Sequence, residues 1–76
     1  MITAYIFIIT KPGGRVDLSP DSLRKMKEIK DVTEVYGEYD IIIKVQVKQM
    51  ADLQTLIKRI REMGSVDKTT TMIAMT

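Results

Sequence analysis

Apolar residues fill both parities of Ile2–Thr10 (ITAYIFIIT), with Ile2, Ala4, Ile6 and Ile8 on one side and Tyr5, Phe7 and Ile9 on the other. Successive side chains of a strand point to opposite faces, so this pattern predicts a central strand covered on both. Lys11-Pro12-Gly13-Gly14 ends it with a turn signal. Leu18-Ser19-Pro20-Asp21-Ser22-Leu23 then reads as a helix start. Ser19 can cap, Pro20 suits the first helical position, Asp21 complements the positive end of the dipole, and Leu18 and Leu23 stand at the staple positions. Leu23, Met26 and Ile29 carry that helix to about Lys30. Val32 to Tyr36 is expected as a second strand, Gly37-Glu38-Tyr39 as a turn, and Asp40 to Val47 (DIIIKVQV) as a third strand with apolar odd positions. The short connection makes those two strands an antiparallel hairpin. From about Ala51 to Met63, Leu53, Leu56, Ile57, Ile60 and Met63 follow the spacing of an amphipathic helix, with Gly64 as its stop. Val66 to Met75 closes the chain as a β-branched strand.

The order βαββαβ predicts an α+β, ferredoxin-like fold. Two right-handed crossovers share a central hairpin, giving a four-stranded antiparallel sheet with strands one and three central and both helices on one face. Those helices cover one face only, whereas the first strand is apolar on both, and Ile42, Met72 and Ala74 add to the uncovered side. Contiguous apolar surface of that kind usually marks an interface, and a second copy about a two-fold axis is the simplest cover. Burying about 500 Å2 per subunit at about 25 cal/mol per Å2 would contribute on the order of 12 kcal/mol before association costs. A homodimer packed through the open sheet face is therefore expected.

Length strengthens that expectation. The 76 residues form a single domain, 1–76, and so short a chain buries only about 60% of the surface its unfolded form exposes. Cysteine, histidine, asparagine and tryptophan are all absent, which removes thiolate and histidine metal sites and the Ser-His and Cys-His nucleophile pairs. No catalytic residues, metal or cofactor are expected. Twelve basic against ten acidic side chains leave a net charge of +2, a small and dispersed excess that predicts no direct nucleic-acid partner. No apolar run approaches the roughly 18 residues of a membrane span, and Met1–Thr10 lacks the basic start and cleavage site of a signal peptide. A cytoplasmic protein with no membrane partner is expected.

Candidate chemistry concentrates in Tyr36-Gly37-Glu38-Tyr39-Asp40, where glycine permits close backbone approach and a carboxylate stands at the start of a buried strand. Such a corner can hold a zwitterion, with the carboxylate on the ligand's ammonium group and loop N–H groups on its carboxylate. The same residues also fit an ordinary hairpin with Gly37 at positive φ and Asp40 accepting local backbone bonds. Thr69 and Thr71 share a face and could offer hydroxyls to a small polar ligand, although threonines in a strand often reflect β-propensity alone. Met50, just before the second helix, is either a core plug or an adaptable pocket wall. Pro12-Gly13-Gly14 between Lys11 and Arg15 lacks the Gly-Lys-Ser/Thr of a phosphate loop. Lys58, Arg59 and Arg61 suit the negative end of the second helix.

The run from Val35 to Val47 (VYGEYDIIIKVQV), followed by Met50 and by Thr69-Thr70-Thr71-Met72-Ile73-Ala74-Met75, resembles the C-terminal effector domain of the leucine-responsive/AsnC regulators. That domain is called RAM, for regulation of amino-acid metabolism. The resemblance covers essentially the whole chain, and its most specific element is G-x-x-D before an apolar strand. It implies a stand-alone RAM domain without the family's DNA-binding helix-turn-helix, dimers packed sheet on sheet, and assembly of four dimers into an octamer. It also implies an amino-acid effector between neighbouring dimers, contacted at positions matching Tyr36 to Asp40 and Thr69 to Met72. The Lys11–Val16 loop and Gln49, where the family often has an acidic cap, depart from its pattern.

The leading expectation is a non-enzymatic amino-acid sensor in which Asp40 meets the ligand's ammonium. Tyr36, Gly37, Tyr39 and Met50 form the wall, and Thr69 and Thr71 supply hydroxyls. The alternative is a ligand-free interaction module that hetero-oligomerises with full-length RAM regulators. An acylphosphatase-like hydrolase is disfavoured by the missing asparagine, and RNA binding across the sheet by its few aromatics.

Overall fold

The computed structural model describes residues 1–12 and 20–75, with elements in the order β1 (Ile2–Thr10), α1 (Pro20–Arg24), β2 (Ile29–Glu34), β3 (Ile41–Val47), α2 (Met50–Arg61) and β4 (Val66–Ile73). All strand pairs are antiparallel and the sheet order is β2-β3-β1-β4, so β1 and β3 are central as their apolar runs predict. The fold is the expected ferredoxin-like βαββαβ. Ser19, Leu18 and the Gly13–Gly14 turn lie outside the described residues.

The helix-facing side of the sheet is the core. Ala4, Ile6 and Ile8 of β1, and Ile41, Ile43, Val45 and Val47 of β3, are buried together with Leu53, Leu56 and Ile60 of α2. These three α2 residues lie on one stripe, as the helical period requires, and Ile57 and Met63 pack against the same cluster. The helix ends at Arg61 with Glu62 as its C-cap, so the chain leaves the helical path before Gly64.

Strand and helix ends differ from the sequence reading by one or two residues at β3, α2 and β4, which begin or end at Ile41, Met50, Arg61 and Ile73. The larger differences, the end of α1 and the start of β2, share one reason. The first helix stops at Arg24 rather than near Lys30, and β2 begins at Ile29 rather than Val32 and ends at Glu34. The β2/β3 register shifts between Ile29 and Asp31. This bulge places Ile29 opposite Val45 and Val32 opposite Ile43, both buried. An extra residue in one strand resets its side-chain alternation. Ile29 and Val32 therefore face the core three positions apart, the spacing that imitates a helix in sequence.

The other sheet face carries two cross-strand rows set by the register: Thr33–Ile42–Phe7–Thr70 and Asp31–Lys44–Tyr5–Met72. Tyr5 and Met72 retain 37% and 57% of their exposure, while Phe7, Ile9 and Ile42 are half-buried. The open face thus has an apolar centre with polar residues around it.

Candidate functional site

The hairpin turn between β2 and β3 is fastened to β1. The Asp40 amide donates to the Ile8 carbonyl at 2.9 Å, and the Val35 amide donates to the Asp40 carbonyl at 2.9 Å. The Asp40 carboxylate reaches further: its Oδ2 accepts from the Thr10 amide at 2.8 Å and from Thr10 Oγ1 at 3.0 Å. Sequence reading offered Asp40 a ligand's ammonium or local backbone bonds, and it missed Thr10. Thirty positions separate the two residues, and only sheet pairing brings them together. At Oδ2 the carboxylate supplies the acceptor that the end of the β1 ladder needs.

Gly37 has φ +143°, the only positive φ among the described residues, and a Cβ built there meets nothing within 4 Å. The turn therefore needs glycine for its backbone conformation rather than for space. Tyr36 projects fully into solvent. Glu34, Val35, Tyr36, Gly37 and Asp40 border an open depression of about 550 Å3. Neither Glu34 nor Val35 was singled out in the sequence.

Tyr39 goes elsewhere. Its ring meets Phe7 edge-to-face, with centroids 5.1 Å apart and planes at 67°. Because Phe7 belongs to the open sheet face, Tyr39 joins that surface, while its neighbours in the same turn border the depression.

The remaining expected site residues are dispersed within one chain. Glu34, Ile41, Ile8 and Thr69 form one row across the sheet, so three strand spacings, about 14 Å, separate Glu34 from Thr69. Thr69 and Thr71 share the helix side of β4, opposite Ile8 and Ile6, and are half-buried. Met50 opens α2 beyond the far end of β3, with 42% of its surface exposed. Seven β3 residues at about 3.3 Å each place it about 20 Å from the hairpin turn. Of the expected set, Tyr36, Gly37 and Asp40 border the hairpin depression among the described residues, so a site there that also used Met50 would draw it from a second copy.

The sequence matches the Lrp/AsnC ligand binding domain over residues 3–76. The chain belongs to that family. The HTH-type transcriptional regulator FL11 of Pyrococcus abyssi is 32% identical over 72 residues, which is 95% of this chain and 47% of the regulator. The chain thus spans about half the length of the curated relatives it matches. Hypothetical protein PHS023 from Pyrococcus horikoshii has a similar structure, with a TM-score of 0.87 and 39% identity over 100% of this chain and 92% of that one. A feast or famine regulatory protein from M. tuberculosis, complexed with L-methionine, superposes with a TM-score of 0.84 at 26% identity, over 100% of this chain and 51% of that one. In this Lrp/AsnC domain, the G-x-x-D that carried the resemblance forms the border of the hairpin depression. Among the described residues no His/Cys/Asp/Glu group could hold a metal ion, and no helix is long and apolar enough to cross a membrane.

Proposed function

We propose that this Lrp/AsnC domain is a non-enzymatic amino-acid sensor whose binding site is completed between copies of the chain. What carries the reading is the hairpin: in a family of ligand-binding domains, its G-x-x-D turn holds a positive-φ glycine and an anchored carboxylate beside an open depression. Backbone amides at Gly37 receive the ligand's carboxylate and Asp40 its ammonium, while Tyr36 flanks them. Met50, Thr69 and Thr71 contribute from a neighbouring copy, because within one chain they lie too far from the turn. Tyr39 serves the open face, where Phe7, Tyr5, Ile9, Ile42 and Met72 pack against a second copy about a two-fold axis. Neighbouring dimers together build the ligand site, and four such dimers give an octamer. A ligand that prefers one assembly state shifts the population toward it.

Calorimetric titration with each of the twenty amino acids tests the reading. L-methionine comes first, since the M. tuberculosis relative carries it. At least one amino acid is expected to give saturable heat that falls at least tenfold in affinity in Asp40→Ala, accompanied by a change in light-scattering mass. A folded chain that gives no heat with any of them overturns it.

A further inference from the structure

A second feature stands apart from the hairpin and the open face. At the opposite end of the sheet, Lys27, Glu28, Lys30, Gln46, Lys48 and Asp52 border a cleft of about 380 Å3. Its lysines come from three separate segments: the α1–β2 connection, the β2 bulge and the residue after β3. The bulge that displaced β2 from its expected start puts Lys30 here. Lys30 Nζ donates to the Lys27 carbonyl oxygen at 3.0 Å, not to a carboxylate. A neighbouring depression shares Lys27 and Glu28 and adds Lys25 and Arg59, which extends the charge up between the two helices. Lys25, Lys27, Lys30, Lys48 and Arg59 are all exposed. Five cations against the two carboxylates Glu28 and Asp52 make one continuous basic stripe.

Composition hides this stripe, because the chain's net charge of +2 averages over surfaces that folding separates. Residues 31–43 hold Asp31, Glu34, Glu38 and Asp40 and no lysine or arginine, whereas Lys27, Lys30 and Lys48 border the cleft at the far end and Lys25 and Arg59 continue it between the helices. We infer that the Lys25/Lys27/Lys30/Lys48/Arg59 stripe binds the phosphodiester backbone of a nucleic acid, independently of any amino-acid site. Lysines act as mobile point charges that follow a backbone without reading bases. An extended row of them suits an extended polyanion, since duplex DNA carries one charge per about 1.7 Å of axis. The acidic hairpin of a second copy is a poorer occupant. Asp40 there is committed to the proposed amino-acid site, and Asp31 Oδ2 already accepts from Thr33 Oγ1 at 3.3 Å. The stripe also lies off the open sheet face, so it stays accessible in a dimer packed through that face.

Fluorescence anisotropy with labelled single-stranded and duplex oligonucleotides across a salt series tests this assignment. The expected result is binding at low salt, with log K falling against log salt at a slope between about −3.5 for single strands and about −4.5 for duplex, for roughly five phosphate contacts. Lys27→Gln/Lys30→Gln should reduce the magnitude of that slope by about 2, near one per lysine removed. Lys11→Gln/Lys68→Gln has the same net charge with the stripe intact and should bind within twofold of the wild type. Adenosine monophosphate, tested by competition, distinguishes a single-phosphate pocket from a backbone track and should fail to compete at millimolar concentration. Equal losses in the two double variants overturn the assignment, because the binding would then follow net charge alone. Effective competition by the mononucleotide overturns it in favour of a small phosphate ester. Salt-sensitive self-association that vanishes in Lys27→Gln/Lys30→Gln, without oligonucleotide binding, overturns it in favour of the hairpin of another copy.

Discussion

Gly37 and Asp40 do different physical work within one turn. Gly37 supplies a backbone conformation that side-chain-bearing residues rarely adopt, whereas Asp40 supplies charge to the end of a distant strand. Gly37→Ala meets no steric obstacle, so its cost is conformational, about 1–3 kcal/mol. Urea unfolding should show that loss with an unchanged m-value, and unaltered stability would mean that the turn relaxes to another conformation. The G-x-x-D spacing was legible in the sequence, and so was a positive φ at Gly37. Thr10 was not, because nothing local to either Thr10 or Asp40 signals a partner thirty positions away. Tyr39 was grouped with its turn neighbours by proximity along the chain; the edge-to-face contact with Phe7 assigns its ring to the sheet.

Among the elements, α2 and β1 were plainest in the sequence, since a buried stripe and a two-sided apolar run each admit one reading. β2 was obscured by its bulge, which gives Ile29 and Val32 a helix-like separation and made α1 look longer than its five residues. The start of α2 retains a local weakness. Gln49 occupies the N-cap with extended φ −134° and ψ 153° and makes no side-chain capping bond. Its backbone already has the geometry in which serine caps well, so Gln49→Ser should stabilise the chain by about 0.5–1 kcal/mol. Thermal unfolding checks this, and a lower melting temperature would show that the Gln49 side chain contributes something a hydroxyl cannot replace.

At the scale of the whole molecule, the helices cover one face of a sheet whose other face keeps an apolar centre. Packing that centre against a second copy removes Phe7, Tyr5, Ile42 and Met72 from water at about 25 cal/mol per Å2. Phe7→Glu places a charge there, and each copy would bury it against its twin at a cost of several kcal/mol. Sedimentation should show wild-type dimers or larger species and a Phe7→Glu variant at monomer mass; a monomeric wild type would end the dimer proposal. The sequence by itself determined the element order, the two-sided β1, the α2 stripe and the G-x-x-D turn, because each rests on periodicity or on a local conformational demand. Tertiary structure alone decided the Thr10 clasp, the placing of Tyr39 on Phe7, the wide separation of Met50 and Thr69 from the hairpin, and the basic stripe. Those features depend on which strands pair and in what register, and pairing joins residues whose distance along the chain carries no record of it.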